Sequence, residues 1–203
     1  MNIDGVTPVI DLKDIRAARA LLDEMLNKLP LGDSKHILKF PKQSILYPTA
    51  YRFNKVQFSA LRNAAQAMGE QECYLSILQN YKHNQNMVKD WVVSLQSEGY
   101  LLFAKGNMVL ENILYSAKKT WAVIFHTDDL AIIGGEEGFV ASFLEALPST
   151  EDEQVKHYLD DCKYYAERME GFDFDGLLIF LENIFGKEKT QYLLKASNIV
   201  KPQ

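Results

Sequence analysis

The chain has 203 residues, 47% of them hydrophobic, and a formal net charge of −5, which is the composition of a globular protein with a substantial core. The negative charge argues against a general nucleic-acid-binding protein, which would carry a basic field. The sequence shows no secretion signal and no run of about 20 apolar residues, so we expect a cytoplasmic protein without a membrane span.

The first third of the chain predicts two amphipathic helices with extended segments between them. Asp11 is expected to cap a helix, because apolar residues at helical spacing follow it over 15–29. A short strand is predicted at 36–40. The segment 42–47, which two prolines bracket, is expected to be a loop or an edge strand. Asn54 is the predicted cap of the second helix.

The middle of the chain predicts a meander of about four antiparallel strands. Strands are expected at 73–78, 101–103 and 108–115, since these runs are rich in branched and aromatic residues. The segment 91–95 fits either a strand or the end of a helix. A polar, turn-prone stretch at 80–90 is interpreted as a solvated loop.

A hairpin is predicted at the end of this meander. Trp121 begins a run of five residues that are apolar on both faces, as in a strand that is covered on both sides. A polar turn at 126–129 leads to another apolar run at 130–133. The pair Gly134-Gly135 is interpreted as the turn from this strand into the next helix.

Helices are expected in the last quarter of the chain. Ser149 or Thr150 caps a helix that has three acidic residues in its first turn. Its buried side is predicted to consist of Tyr158, Cys162, Tyr165 and Met169. A second helix at 177–185 is apolar nearly all round, so it must be buried against the sheet or against a second copy of the chain.

These elements predict an α+β fold. We expect a mostly antiparallel sheet of about four to six strands, flanked by helices, with a helical C-terminal part. Residues 1–148 would form the sheet domain, and residues 149–203 a helical extension that packs on it as part of one structural unit.

Catalytic and metal-binding motifs are absent from the sequence. It contains no H-E-x-x-H, no zinc-site spacing, no G-x-S-x-G and no glycine-rich phosphate loop, so we expect no cofactor and no metal. His126, Asp128 and Asp129 are neighbours and form an alternative site, in a small-molecule-binding domain or a hydrolytic enzyme. The plainer interpretation is a surface hairpin tip. Cys73 and Cys162 lack the basic neighbours that activate a thiolate, and are expected to be free thiols.

The charge of the chain is distributed unevenly. The segment 136–175 holds 12 acidic and 3 basic residues, a net charge of −9, so the remaining 163 residues carry about +4. An acidic surface of this kind suits a basic partner protein, although the acids also serve to cap and solvate helices. The residues predicted to bind a partner are Glu136, Glu137, Glu151, Asp152, Glu153, Asp160 and Asp161.

One part of the sequence resembles a known class of proteins. The run WAVIFHTDDLAIIGG at 121–135, with Phe139 in a following helix and the helix-like stretch ALRNAAQAMGEQECY at 60–74, resembles small uncharacterised bacterial cytosolic proteins. These include immunity proteins of polymorphic toxin systems. The resemblance implies a non-enzymatic inhibitor of another protein, such as a basic, nuclease-like toxin. It implies no direct contact with nucleic acid or membrane. A homodimer formed through the helix at 177–185 is a further interpretation.

Overall fold

The structure, a computed structural model, describes residues 3–28, 36–78, 89–107, 110–126 and 129–199. Within these residues the chain forms nine strands and six helices. The strands are β1 (Val6–Pro8), β2 (Leu26–Lys28), β3 (His36–Leu38), β4 (Lys42–Leu46), β5 (Glu72–Ile77), β6 (Asp90–Ser94), β7 (Asn112–Tyr115), β8 (Trp121–Phe125) and β9 (Ala131–Gly135). The helices are α1 (Leu12–Met25), α2 (Lys55–Ala67), α3 (Gly99–Asn107), α4 (Glu137–Glu145), α5 (Glu151–Arg168) and α6 (Phe174–Ala196).

Seven of these strands form one antiparallel sheet. Their order is β1-β6-β5-β7-β8-β9-β4, so the segment 42–47 contains an edge strand. The remaining two strands, β2 and β3, form a small antiparallel ribbon. The predicted α+β class is confirmed, and the main sheet has seven strands where we expected four to six.

The main sheet is buried on both faces. Every residue of β8 is fully buried, as its two-sided apolar pattern predicts. Trp121, Val123 and Phe125 face one core, to which α2, α3 and α4 contribute side chains. Ala122 and Ile124 face a second core, to which α1, the β2-β3 ribbon, α5 and α6 contribute. The molecule therefore has three layers, with the sheet in the middle.

A buried polar network fixes α1 on the sheet. The guanidinium of Arg19 pairs with the carboxylate of Asp90, with Nη2 3.0 Å from Oδ1. The hydroxyl of Ser76 donates to the same carboxylate and lies 3.0 Å from the hydroxyl of Tyr115. Tyr115 in turn donates to the carbonyl of Ala18 at 3.3 Å. Burial raises the pKa of Tyr115, so this hydroxyl remains a donor that ties β7 to α1.

The predicted strand at 101–103 is wrong, because this segment lies in the helix α3. Tyr100, Phe103 and Ala104 recur at helical spacing and are buried in the first core. The hydroxyl of Tyr100 also accepts a hydrogen bond from the backbone N–H of Phe53 at 3.2 Å. Strand-forming residue types were outweighed here by a helical face that packs on the sheet.

Two other boundaries differ from the sequence-based expectations. The helix capped by Asp11 ends at Met25, and Leu26 continues as the extended ribbon strand β2. The strand expected at 108–115 begins at Asn112. For the segment 91–95, the strand alternative is confirmed. The predicted loop at 80–90 lies largely outside the described residues.

The buried stripe of α5 also lies nearer the start of the helix than predicted. Thr150 and Glu153 form the expected capping box. However, Val155, Leu159 and Cys162 are buried, whereas Tyr165 and Met169 are exposed. The helix buries a stripe that begins at Val155 because those side chains contact the second core. The prediction that Tyr165 and Met169 belong to the core is therefore wrong.

The apolar helix at 177–185 forms the first half of α6. Leu177, Phe180 and Leu181 pack in the second core, so the sheet covers its apolar side. Gly186 interrupts the helix with φ 75° and ψ 165°, at the position where the sequence predicts its end. Across the described part of the chain, no helix combines the length and apolarity that crossing a membrane requires.

Gly134 and Gly135 lie inside strand β9 and do not form the predicted turn. A Cβ at Gly134 would lie 2.9 Å from Leu38 Cδ1, on the face that the ribbon covers. A Cβ at Gly135 would lie 2.8 Å from the Thr120 carbonyl oxygen, on the other face. There the ring of Trp121 stacks on that of Phe139 with centroids 5.2 Å apart. The glycine pair is required because both outer layers approach the sheet closely at this point.

Replacement of Gly135 tests this close approach. We expect Gly135→Ala to lower the free energy of unfolding by about 1–3 kcal/mol, because the added methyl group would overpack a buried site. Gly138→Ala is the matched control, since a Cβ there meets no atom within 4 Å. Alanine also suits its helical position, so stability should be unchanged or raised by up to about 1 kcal/mol. Urea unfolding followed by tryptophan fluorescence measures both, and equal stability of Gly135→Ala and the parent protein would contradict the account.

Candidate functional site

The seven acidic residues predicted to bind a partner fall into two groups. Glu136 and Glu137 are exposed at the start of α4, which packs on the first face of the sheet. The other five lie on α5, which packs on the second face. The two groups are therefore carried by different layers, and their contributions to binding can be tested separately.

Glu151 is an internal ion-pair partner. Its side chain is 21% exposed and lies between two ammonium groups, Lys189 Nζ at 3.2 Å and Lys42 Nζ at 3.8 Å. Burial acts to raise the pKa of Glu151, but the hydroxyl of Ser44 and the two lysines outweigh it and hold the pKa below its ordinary value. This carboxylate joins the start of α5 to β4 and α6.

Two further acids of the predicted set have contacts within the chain. Glu153 accepts a hydrogen bond from the backbone N–H of Thr150 at 2.8 Å and completes the capping box. Asp161 accepts a hydrogen bond from the hydroxyl of Tyr47 at 2.5 Å. Partial burial, with Asp161 as the next cause, raises the pKa of Tyr47. These two carboxylates stabilise α5 and its contact with the chain after β4.

The exposed residues of α5 and of its C-cap, Met169, include acidic and large apolar side chains. Asp152 and Asp160 are exposed, and Tyr164, Tyr165 and Met169 are 52%, 50% and 59% exposed. We call these five residues the α5 outer face. Tyrosine and methionine are enriched in protein–protein interfaces relative to the rest of the surface. Sequence reasoning found the acids of this face but placed Tyr165 and Met169 in the core.

The cation–π contact at the end of α5 arranges part of this face. The guanidinium carbon of Arg168 lies 3.8 Å from the centroid of the Tyr164 ring, and the Tyr164 and Tyr165 rings meet edge to face at 5.7 Å. Contacts of this kind restrict exposed side chains before a partner arrives, which lowers the entropy lost on binding.

His126 is not at an exposed hairpin tip, so that interpretation is wrong. Its side chain is 2% exposed, and Nδ1 lies 3.2 Å from Glu111 Oε1. Nε2 has no hydrogen-bond partner among the residues that the structure describes. Asp129 adopts a positive φ of 52°, and its carbonyl accepts a hydrogen bond from the N–H of Thr49 at 2.6 Å. Asp128 lies outside the described residues.

Glu111 is a residue that sequence reasoning missed. It directly precedes Asn112, which is the register partner of Phe125, the residue before His126. A correct register for the β7-β8 hairpin would have placed the carboxylate and the imidazole side by side. The missing signal was therefore the start of β7, which the composition of 108–115 did not define.

Metal ligation and thiol chemistry find no support in the described part of the chain. No group of three or more His, Cys, Asp or Glu side chains there has an arrangement that holds a metal ion. Cys73 and Cys162 are buried free thiols. Burial, followed by the nearby carboxylate of Glu70, raises the pKa of Cys73, which disfavours the reactive thiolate.

A cleft of about 390 Å³ lies between the edge strand β4 and the interrupted helix α6. The strand side supplies Lys42 and Gln43, and the helix side supplies residues on both sides of Gly186. The ion pairs of Glu151 with Lys42 and Lys189 lie beside it. The cleft is thus a polar feature that the sequence did not predict.

Comparison of the chain with protein-family models, curated proteins and solved structures finds no match. No family is therefore established for it, and the resemblance to immunity proteins remains a prediction from the residues quoted for it.

The ion pairs of Glu151 predict a specific dependence of stability on pH. A carboxyl group whose pKa is lowered by folding contributes stability above its unfolded pKa of about 4.3, and this is lost as the pH falls through the folded value. We expect Glu151→Gln to be less stable than the parent protein at pH 7 by about 1–2 kcal/mol. The difference should shrink below about pH 4.

Urea unfolding at a series of pH values from about 7 to about 3 measures this difference. Asp152→Asn, a change at an exposed neighbour on the same helix, is the matched control. This variant retains Glu151, so its stability should fall with pH as that of the parent protein does. A constant difference between Glu151→Gln and the parent protein at every pH would contradict the ion-pair account.

Proposed function

We propose that this chain is a cytoplasmic protein-binding module that binds a basic partner protein through the α5 outer face. The single observation that carries the proposal is that Asp152, Asp160, Tyr164, Tyr165 and the C-cap residue Met169 are all exposed along one helix and its end. Acids alone are explained by helix capping and solvation. Capping and solvation do not explain why three large apolar side chains are exposed to water on the same helix and its C-cap.

Charge supplies the attraction in this proposal. The segment 136–175 has a net charge of −9. Within it, Glu151 forms ion pairs with two lysines from outside the segment, Lys42 and Lys189. A surface of this sign accelerates encounter with a basic protein and disfavours acidic competitors. Exposed charges are screened beyond about 8–10 Å at physiological salt, so the association should weaken as salt is added.

The apolar side chains supply the short-range part of the interaction. Tyrosine offers a large contact area at a small cost in side-chain entropy, and methionine adapts to irregular surfaces. Interfaces usually depend on a few such anchors that are surrounded by polar residues. Tyr164, Tyr165 and Met169 are the anchors in this proposal, with Asp152 and Asp160 toward the rim.

We infer a toxin domain as the class of partner. The resemblance of 121–135 to immunity proteins supports this inference, and the negative surface supports a partner with a basic substrate site, such as a nuclease. A nuclease attracts nucleic acid with lysine and arginine side chains, and an acidic protein can form ion pairs with the same side chains. The action of the chain would then be stoichiometric inhibition without catalysis.

Charge reversal on the two layers tests the proposed face. We expect Asp152→Lys/Asp160→Lys to reduce capture of the partner at least tenfold in affinity chromatography from the source cells at about 50 mM salt. The parent protein should release the same basic partner at about 500 mM salt, because screening removes the attraction. Glu136→Lys/Glu137→Lys makes the same change in charge on α4 and is the matched control, which should retain the partner.

Two results would overturn this assignment if both variants remain folded by circular dichroism. One is undiminished capture by the α5 variant, and the other is loss of capture by the α4 variant alone. The toxin inference has its own test, in which the captured partner is expressed with or without this chain. Growth arrest by the partner, relieved by the parent protein and not by the α5 variant, is the expected result.

The His126 pair favours a second candidate function, acid–base chemistry on a small molecule. An imidazole held by a carboxylate, with its second nitrogen free of partners among the described residues, has the arrangement of a general base. Glu111 would act as the positioning residue for His126. The burial of the ring argues against this function, since a substrate must reach Nε2.

Chemical modification distinguishes the two candidates. We expect diethyl pyrocarbonate to modify His126 in the folded protein at least tenfold more slowly than His157, because His157 is exposed and His126 is buried. Mass spectrometry of time points gives both rates within one sample. Equal rates would show that small molecules reach Nε2 and would favour acid–base chemistry over a purely structural role.

A further inference from the structure

The cleft between β4 and α6 has the size of a small-molecule site. Its volume of about 390 Å³ falls within the range of about 300–1,000 Å³ that such sites occupy. The rings of Phe40 and Phe185 line it together with polar side chains from both elements. The α5 outer face is not among its lining residues, so an inference about the cleft does not depend on the protein-binding function.

A side-chain hydrogen bond joins the two sides of the cleft. Gly186 interrupts α6 with its φ of 75°. Three residues before it, the carbonyl of Asn183 accepts a hydrogen bond from Nε2 of Gln43, at 3.4 Å. Gln43 on the edge strand therefore holds the end of the first half-helix against the sheet.

Gln43 has one polar atom left without a partner. Its side chain is 7% exposed in total. Nε2 donates to the carbonyls of Phe40 and Asn183, and because both are acceptors, the amide cannot be flipped. Oε1 has no hydrogen-bond partner among the described residues. A buried amide oxygen without a partner is unfavourable, so the position favours a molecule that brings an N–H or O–H donor.

The charges around the cleft are balanced. Lys42 and Lys189 are lining residues, and both ammonium groups face the carboxylate of Glu151. Glu151 is not itself a lining residue, whereas the acidic residue Glu182 is. A simple anion would compete with Glu151 for the lysines and would meet Glu182 without compensation. A molecule with both a positive and a negative group matches this arrangement better.

We propose that the cleft between β4 and α6 binds a small zwitterion of the α-amino acid class with an apolar side chain. The ammonium group would donate to Gln43 Oε1, and the carboxylate would lie toward Lys42 and Lys189. The apolar side chain would contact Phe40 and Phe185. Glu151 balances the two lysines and so selects against ligands that carry negative charge alone.

Isothermal titration calorimetry with L-phenylalanine tests the proposal on the full chain. We expect a dissociation constant between about 10 μM and 1 mM, which is the range for a ligand of this size. N-acetyl-L-phenylalaninamide, which keeps the ring but lacks both charges, should bind at least tenfold more weakly. Inorganic phosphate, an anion without an ammonium group, should also bind at least tenfold more weakly.

Two variants place the binding in the cleft. Lys189→Met removes one ammonium group and should weaken L-phenylalanine binding at least tenfold. Lys187→Met, an exposed lysine near it on α6 that is not a lining residue, is the matched control and should bind normally. Asn183→Trp places a large ring at an exposed lining position and should block binding even if Lys189→Met is too unstable to assay.

Several outcomes would overturn the inference. One is the absence of binding heat when L-phenylalanine is titrated. Another is equal or tighter binding of phosphate. The third is L-phenylalanine binding that both Lys189→Met and Asn183→Trp leave unchanged. In each of these cases a water molecule would suffice as the donor to Gln43, and the cleft would be a structural gap beside the ion pairs of Glu151.

Discussion

The burial of both faces of β8 and β9 determines where the other elements lie. Trp121 to Phe125 are fully buried, and so are most residues of the neighbouring strand, so each face requires a covering layer. Trp121 stacks on Phe139 of α4 on one side, while the ribbon reaches Gly134 on the other. This double cover assigns α4 to one layer and α5 to the other, and it leaves the outer side of α5 as a free surface.

The sequence predicted this architecture where local patterns and burial agree. The two-sided apolar run of β8 and the caps at Asn54 and Thr150 are confirmed, since their signals lie within a few residues. The strand predicted within 99–107 is wrong because residues of strand-forming types recur there at helical spacing and form the buried side of α3. The turn predicted at Gly134-Gly135 is wrong because glycine is required there by contacts with Leu38 and Thr120, which are distant in the chain. Contacts of this range leave no local pattern to detect.

The candidate site was predicted only in part, for the same reason. Composition identified the acidic surface, but no spacing shows that Lys42 and Lys189 surround Glu151, or that Tyr47 donates to Asp161. These contacts turn two of the predicted binding residues into stabilising ones. Conversely, a small error in the helical stripe placed Tyr165 and Met169 in the core. Their exposure gives the α5 outer face its apolar component, and with it the capacity to hold a partner that charge attracts.

Hydroxyl-radical footprinting of the isolated complex is the most direct measurement of the central claim, because tyrosine and methionine side chains record their own exposure by oxidation. We expect oxidation of Tyr164, Tyr165 and Met169 to fall severalfold when the basic partner is bound. Tyr192 on α6 and Leu102 on α3, which are both exposed in the free protein, should be oxidised as before. Protection of Leu102 or Tyr192, with Tyr165 and Met169 unchanged, would show that the partner binds another face and would contradict the account.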